Sequence, residues 1–188
     1  MSAPGYQDIS EKLIIVYNIV KLLVLDKKFN LVALGGTFDH LHLGHRSLLK
    51  KAFEVGNSVL IGITGDSYLK KYKKKSNITN CYESRVLNLI NFIKKNFKNT
   101  SFSIIKLDDK YGPTVTSKEI QALVTSTETK QTGLRINRIR VKNGLDPLLI
   151  ITVDLILSCD GIPLSSTRIR SGEINSLGKI LKKNLNGL

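Results

Sequence analysis

Strand-like and helix-like segments alternate along most of this chain. Runs dominated by apolar residues predict buried strands, and apolar positions about three or four residues apart predict helices. The predicted strands are Phe29 to Gly35, Ser58 to Thr64, Ser101 to Leu107, a short strand ending at Leu123-Val124, and Leu148 to Leu157. The predicted helices are Arg46 to Val55, one that opens at Tyr82, Thr129 to Lys142, and a short one that opens within Ser165 to Arg170.

This alternation predicts an α/β fold whose mostly parallel sheet has helices on both faces. Residues 29 to 188 show no internal repeat and no linker, so we expect one domain there, ending in a lysine-rich helix or tail. Residues 1 to 28 are expected to form an N-terminal helical extension that packs on the domain or on a partner subunit. Its apolar run, Leu13 to Leu25, is shorter than the roughly 20 residues that cross a bilayer, so we expect no membrane partner.

Charge narrows the class of partner. The net charge is +14, which favours anionic partners such as nucleotides, phosphorylated metabolites or nucleic acid. Much of the charge lies in lysine clusters, which more often form solvated faces: Lys70 to Lys75, Lys94 to Lys98 and Lys179 to Lys183. Aromatic residues make up only 6% of the chain, which argues against a nucleic-acid-binding module. Cys81 and Cys159 are isolated in the sequence, as expected in a reducing cytoplasm.

The candidate chemistry begins between the first predicted strand and its helix. Gly35 and Gly36 allow a ligand to approach the backbone, because glycine has no Cβ. Thr37 adds a hydroxyl, and His42 and His45 share one face of the opening helix turn. The free N–H groups of that turn attract anions. This arrangement suits a phosphate chain that gains charge during reaction, and a tight turn with solvent-facing histidines is the simpler alternative.

A second cluster of hydroxyl groups follows the last predicted strand. Ser165, Ser166 and Thr167 stand at the start of a short helix, next to Arg168. Side-chain and backbone donors at such a position can bind phosphate oxygens. Taken alone, the segment is typical of a helix cap in which Ser165 or Ser166 accepts from the first N–H groups.

Together these two segments resemble the nucleotidyltransferase superfamily, whose signature is Gly-Gly-Thr-Phe-Asp followed by His-x-Gly-His. The resemblance implies a Rossmann-like nucleotidyltransferase fold for residues 29 to 188. It implies that the first segment holds the ATP phosphates, with Thr37 bridging the reacting phosphate, and that the second grips the β and γ phosphates. The nucleotide-binding residues implied in these segments are Gly35, Gly36, Thr37, Phe38, His42, Gly44, His45, Ser165, Ser166, Thr167 and Arg168.

Further stretches narrow the resemblance to phosphopantetheine adenylyltransferases of the archaeal and eukaryotic type. These stretches are Val124 to Thr129, Ile136 to Arg140, Asn143 to Leu148, Tyr111 to Pro113 and Asp160 to Pro163. The resemblance covers roughly residues 29 to 173. The chain departs from the pattern in its longer N-terminal segment and in Ser67, where a small or acidic residue is common.

The implied reaction joins ATP and 4′-phosphopantetheine to give dephospho-coenzyme A and pyrophosphate. Mg²⁺ is expected to bridge the phosphates with few protein ligands, and no acidic cluster in the sequence forms a dedicated metal cage. The implied catalytic residues are Thr37, His42, His45, Lys70 and Arg85. The implied contacts to the acceptor are Lys73, Tyr111 and Gly112, and those on the adenine side are Val124 and Glu128.

Several of these assignments have alternatives in the sequence. Arg85, in Tyr-Glu-x-Arg, fits a residue facing the site and a surface helix arginine equally well, and Glu128 fits a helix cap. Among Lys70 to Lys75, Lys70 is the first choice for a phosphate contact and Lys73 the second. The acceptor could instead be nicotinamide mononucleotide, or a phosphorylated alcohol with CTP. A nucleic-acid binder and a catalytically silent copy are the alternatives from other classes, and the oligomeric state stays open.

Overall fold

The computed structural model describes residues 29–72 and 78–181. The predicted N-terminal extension, the candidate Lys73 and the last seven residues of the predicted tail lie outside the described residues. The strands are β1 (Phe29–Gly36), β2 (Gly56–Thr64), β3 (Ser101–Leu107), β4 (Ala122–Ser126) and β5 (Leu149–Val153). The helices are α1 (Leu43–Val55), α2 (Asp66–Tyr72), α3 (Tyr82–Asn96), α4 (Lys130–Lys142) and α5 (Ser166–Arg170), and Gly112–Val115 form a 3₁₀ turn.

The five strands form one parallel sheet in the order β3-β2-β1-β4-β5. β1 lies at the centre, between β2 and β4, so the loop that follows it leaves from the middle of the sheet edge. Because the order changes direction at β1, this edge is where ligands of open α/β sheets bind. The predicted parallel α/β fold is confirmed.

Helices cover both faces of the sheet, as predicted. Val32 and Leu34 of β1 pack with residues of α1 and α3, whereas Ala33 packs on the opposite face with α4 and the 3₁₀ turn. This follows from the alternation of side chains along a strand. β1 is therefore buried from both sides and holds the loop after it in a fixed place.

The structure differs from the predicted elements at three places. β5 ends at Val153 instead of Leu157, because β4 ends at Ser126 and offers no further partner to the edge strand. α1 begins at Leu43, so the histidine motif forms its first turn. The segment after β2, predicted as a turn into a basic stretch, forms the short helix α2.

The described part of the chain carries no helix that is both long and apolar enough to cross a membrane. The sequence after α5 is not helical up to Leu181; Ile174 and Ile180 form an isolated antiparallel bridge there.

Candidate functional site

The loop from β1 to α1 brings two histidines together at a helix N-terminus. His42 is the residue before α1, and His45 lies in the first turn of the helix. Their rings are tilted against each other with centroids 3.9 Å apart. In the described part of the chain no side chain caps this helix, and of its first N–H groups only that of Leu43 has a partner, so those of Gly44 and His45 keep their capacity to bind an anion.

Glycine occupies position 44, within the His-x-Gly-His motif, for a steric reason. A Cβ on Gly44 would lie 3.1 Å from Cε1 and Nδ1 of the His42 ring. Any other residue would force the His42 ring or the backbone to shift by a few tenths of an ångström. The motif therefore supplies two stacked imidazoles, and its glycine leaves room for the ring of His42.

Both imidazoles are neutral at pH 7. Burial, together with the smaller effects of the neighbouring His45 and His40, lowers the pKa of His42 to about 3. Burial also lowers the pKa of His45 to about 4, against a smaller opposite effect of the His40 backbone. Nδ1 of His45 lies 3.0 Å from the carbonyl oxygen of His40 and donates to it, since a carbonyl can only accept. Nε2 of neutral His45 therefore carries a lone pair, not a proton.

His42 has unused hydrogen-bonding capacity. The residue is 8% exposed, and within residues 29–72 and 78–181 its Nδ1 has no hydrogen-bond partner. Buried polar nitrogens are normally hydrogen-bonded, so this unpaired nitrogen distinguishes His42 within the site.

Arg85 ties the loop after β1 to the end of β2. Its side chain is fully buried, and its Nη1 donates to the carbonyl oxygen of Thr37 at 2.7 Å. Nε donates to the carbonyl of Asn80 at 3.2 Å, and Nη2 donates to Asp66 at 2.5 Å. The alternative of a surface helix arginine is wrong, because Arg85 is buried and its side chain faces the loop that carries Thr37.

Asp66 completes this connection from the first turn of α2. Its second carboxylate oxygen accepts from the backbone N–H of Tyr82 at 3.0 Å. Burial raises the pKa of Asp66, but the bonds from Tyr82 and Arg85, together with the charges of Arg85 and Lys70, outweigh this and lower it. Lys70 itself is exposed on the last turn of α2, and its positive charge is one of the causes of the lowered pKa of Asp66.

Asp39 is a second buried carboxylate at the centre of the loop. It accepts from the backbone N–H groups of Asn80 at 3.0 Å and Thr79 at 3.4 Å, and from the Asn80 side chain at 3.1 Å. Nη1 of Arg170, from the hydroxyl-rich segment, donates to it at 2.8 Å. Burial acts to raise the pKa of Asp39, and these bonds together hold it below its usual value.

Arg170 joins the two segments that the sequence singled out. Besides Asp39, its guanidinium contacts the hydroxyl of Thr167 at 3.1 Å. The backbone N–H of Leu43 also donates to the carbonyl of Ser176 at 3.3 Å, just beyond α5. The histidine turn and the hydroxyl-rich segment are thus neighbours at one edge of the sheet.

Arg168, the arginine that the sequence favoured, has partners within its own part of the chain. It forms ion pairs with Asp160 and Glu173 and donates to Ser158 at 2.7 Å. The bond from Arg168 is the main reason that the pKa of Asp160 is strongly lowered. Ser165 caps α5, accepting from the N–H of Arg168 at 3.3 Å, so the helix-cap alternative describes this serine.

A cavity of about 240 Å³ lies on the α4 face of the sheet and reaches Gly35 and Gly36 at the end of β1. Its floor includes Gly35 and Gly62, which are register partners on β1 and β2. A Cβ on Gly62 would come within 2.7 Å of Leu107, so glycine at this position makes room for the Leu107 side chain, which also lines the cavity. Gly36, which immediately precedes Thr37, also lines this cavity, and the remaining wall combines aliphatic side chains with threonines, two tyrosines, Asp109 and Lys110.

Two of the other predicted residues, Tyr111 and Val124, border this cavity. Tyr111 lines it, and Gly112 follows Tyr111 with a φ of +52°, a conformation that favours glycine. Val124 also borders the cavity, whereas Glu128 lies exposed in the turn before α4. Phe38 is fully buried with a φ of +53°, and its ring centroid lies 4.9 Å from that of His45. The ring of Phe38 therefore packs against the ring of His45.

Sequence reasoning missed Asp39 and Arg170 as residues of the site. Both lie inside the motifs that were singled out, Asp39 after Phe38 and Arg170 two positions after Arg168. A signal existed, since an acidic residue between two phosphate-binding elements requires a cationic partner when it is buried.

Comparisons with known proteins agree with this geometry. A cytidylyltransferase-like family model matches residues 33–172. The phosphopantetheine adenylyltransferase of Methanothermobacter thermautotrophicus is 44% identical over 159 residues, 85% of this chain and 94% of that protein. The phosphopantetheine adenylyltransferase of Pyrococcus furiosus is 40% identical over 159 residues, 85% of this chain and 98% of that protein. A solved structure of a protein with unknown function from Archaeoglobus fulgidus is 31% identical, with a TM-score of 0.59 over 65% of this chain and 88% of that chain.

Proposed function

The chain belongs to the cytidylyltransferase-like family and to its phosphopantetheine adenylyltransferases, and we propose that it transfers an adenylyl group from ATP to 4′-phosphopantetheine. The products are dephospho-coenzyme A and pyrophosphate, which places the enzyme in coenzyme A biosynthesis. One observation carries this proposal beyond family membership. Two neutral, stacked imidazoles stand at an uncapped helix N-terminus, next to a largely apolar cavity that reaches Gly36.

The reaction needs positioning more than proton transfer. The acceptor is a phosphate that is already ionised at neutral pH, so its oxygen attacks the α-phosphorus without a general base. A bond forms between that oxygen and the α-phosphorus, the bond from the α-phosphorus to the bridging oxygen breaks, and pyrophosphate leaves with that oxygen. Catalysis then depends on holding the two phosphates in line and stabilising charge that spreads over their oxygens.

His42 and His45 supply that stabilisation in our proposal. They contact the α and the β–γ phosphate oxygens, together with the first N–H groups of α1. The unpartnered Nδ1 of His42 supports this role, because it has hydrogen-bonding capacity to spare.

Thr37 contacts the acceptor phosphate or the α-phosphate, and Arg85 acts through it. The guanidinium of Arg85 holds the carbonyl of Thr37 and the carboxylate of Asp66, so we assign it a positioning role. Lys70 is exposed near Asp66 and is the candidate that neutralises phosphate charge from solvent. Ser166, Thr167 and the N–H groups of α5 hold the leaving pyrophosphate, with Arg170 joining them to the histidine turn.

Mg²⁺ is expected to arrive with ATP and to be held mainly by phosphate oxygens. Across residues 29–72 and 78–181 no group of three or more His, Cys, Asp and Glu side chains is placed to hold a metal ion. The carboxylates nearest the histidine turn already have partners, Asp39 in Arg170 and Asp66 in Arg85. These residues fit a Mg²⁺ ion that is bound through the phosphates of ATP. Chelation of Mg²⁺ is expected to stop turnover.

The cavity beside Gly36 suits the uncharged arm of the acceptor. Its walls include Leu107, Tyr111 and Ile136, which match the methyl and methylene groups of a pantetheine chain. The charged phosphate of the acceptor would then lie at Thr37, where the cavity meets the histidine turn. This arrangement gives the loop around Tyr111 the acceptor contact that the sequence predicted for it.

Cys81 and Cys159 are free thiols, which suits a cytoplasmic enzyme.

Incubation of the purified protein with Mg²⁺, ATP and 4′-phosphopantetheine tests the proposal, with dephospho-coenzyme A as the measured product. Parallel incubations replace ATP by CTP, or the acceptor by nicotinamide mononucleotide, with pyrophosphate release as the readout. We expect product only with ATP and 4′-phosphopantetheine. Faster pyrophosphate release with another pair would reassign the substrate, and no release with any pair would contradict an enzymatic function. A salt-titrated binding measurement with RNA and DNA checks the nucleic-acid alternative.

A further inference from the structure

Thr125 places a hydroxyl group in the wall of the cavity, near the end of β4. The residue is 6% exposed. Its neighbour Val124 packs with the helices on one face of the sheet, while Leu123 packs on the α4 face. Because side chains alternate along a strand, Thr125 points to the same face as Leu123, which is the face where the cavity lies.

The Thr125 hydroxyl oxygen has no hydrogen-bond partner in the described part of the chain. Two other hydroxyls of the cavity wall are engaged: Thr64 donates to the carbonyl of Gly36 at 3.2 Å and Thr114 to that of Tyr111 at 2.5 Å. A buried hydroxyl without a partner destabilises a protein, so its presence in a cavity wall needs a reason.

We propose that Thr125 is a specificity-determining residue for the acceptor, and that its hydroxyl forms a hydrogen bond with an amide of the acceptor's uncharged arm. The inference rests on the proposed function. A hydroxyl can donate to an amide carbonyl or accept from an amide N–H, so it matches either end of such a group. The cavity would otherwise bind any aliphatic chain, and this bond would select one that carries an amide.

The surroundings of Thr125 favour a ligand group over a bound water molecule. A buried water needs at least about two polar partners. The cavity wall includes Leu123, Gly133 and Ile136, which offer no side-chain donors or acceptors, and the Thr129 hydroxyl in it already donates to the carbonyl of Ser126 at 3.3 Å. A pantetheine arm brings its own methyl groups to this wall and presents an amide to the hydroxyl.

Steady-state kinetics of Thr125→Val test the proposal, because valine keeps the shape of threonine and removes its hydroxyl. We expect KM for 4′-phosphopantetheine to rise about 3- to 10-fold, the loss of one hydrogen bond, with kcat and KM for ATP unchanged. Thr125→Ser, which keeps the hydroxyl, should restore most of the affinity for the acceptor. Thr152→Val is the matched control, since Thr152 is the register partner of Thr125 on β5 and does not line the cavity.

The outcomes separate this inference from the proposed function. If the wild-type protein makes no dephospho-coenzyme A, the proposed function fails first. If the wild type is active and Thr125→Val keeps a normal KM for the acceptor, this inference alone is wrong. A rise in KM for ATP instead would assign the hydroxyl to the nucleotide. A rise in KM for both substrates that Thr125→Ser does not reverse would show that the side chain only shapes the cavity. Each of these two results would overturn the proposal.

Discussion

Arg170 and Asp39 form a buried ion pair between segments 131 positions apart, with Nη1 of the arginine 2.8 Å from Oδ2 of the carboxylate. Asp39 follows the paired glycines of the β1–α1 loop, and Arg170 ends α5. The side chain of Asp39 is fully buried and that of Arg170 is 12% exposed. The pair therefore fixes the histidine turn against the hydroxyl-rich segment, and its strength is the first property to test.

Asp39→Asn is expected to destabilise the fold by about 3–5 kcal/mol, because it leaves the Arg170 guanidinium without a counter-charge. Denaturant unfolding measures the change. A double-mutant cycle with Arg170→Met isolates the pair, and the double variant should be more stable than the sum of the two single losses predicts. Asp160→Asn, in the more exposed ion pair with Arg168, is the comparison and should cost less. Additive effects of Asp39→Asn and Arg170→Met would show that the two residues act independently.

Arg85→Lys tests whether Arg85 positions Thr37. Lysine keeps the charge but cannot donate at once to Thr37, Asn80 and Asp66 as the planar guanidinium does. We expect kcat to fall about 10- to 100-fold, as for a displaced reacting group, with KM for ATP close to that of the wild type. A variant with normal kcat and a raised KM for ATP would instead indicate a direct phosphate contact.

The parts of this site that could be predicted are local in sequence. Gly35, Thr37, His42 and His45 lie within one loop, so a strand followed by a helix already places them together at the sheet edge. The parallel order of the strands follows from nearly continuous apolar runs, which occur when both faces of a sheet are covered. The end of the apolar run in β1 also predicts the position of the turn before α1 to within a few residues.

The parts that could not be predicted depend on contacts between distant segments. The hydrophobic pattern of α3 does not reveal that Arg85 points inward, because a buried arginine looks like a surface arginine in sequence. Choosing Arg170 over Arg168 as the residue that meets the histidine turn requires the position of Asp39 in space. The cavity requires β1, β2, β4 and α4 at once, so the role of Thr125 emerges only from the fold.

His42→Ala and His45→Ala test the phosphate contacts directly. Each removes one group that faces developing charge, and we expect kcat to fall about 10²- to 10³-fold. The fold should survive, because both rings lie at the edge of the sheet, and circular dichroism with thermal unfolding verifies this. His40→Ala is a matched control from the same loop, since its ring contacts Thr79 rather than the stacked pair. Turnover near the wild-type rate in both variants would refute the assignment of the two histidines.

ATP binding is expected to draw a proton onto His45. In the free protein its pKa is about 4, so the ring is neutral at pH 7, and Nδ1 donates to the carbonyl of His40. Nε2 then presents a lone pair, which repels a phosphate oxygen unless it is protonated. A bound triphosphate favours the charged ring and raises its pKa, because an opposite charge lies nearby. At any pH above 4 and below the pKa of the bound state, binding therefore takes up a proton.

Calorimetric titration with Mg²⁺ and ATP, without acceptor, measures this uptake. The heat is recorded at pH 6 in buffers of different ionisation enthalpy, and its dependence on that enthalpy gives the number of protons taken up. We expect up to about one proton per ATP in the wild type and in His40→Gln, and markedly less in His45→Gln. Affinity for ATP should also increase as the pH falls from 7 to 6, because a complex that binds an extra proton is favoured by acid. Equal uptake by the wild type and His45→Gln would show that His45 stays neutral in the complex, so that only His42 and the N–H groups of α1 contact the triphosphate.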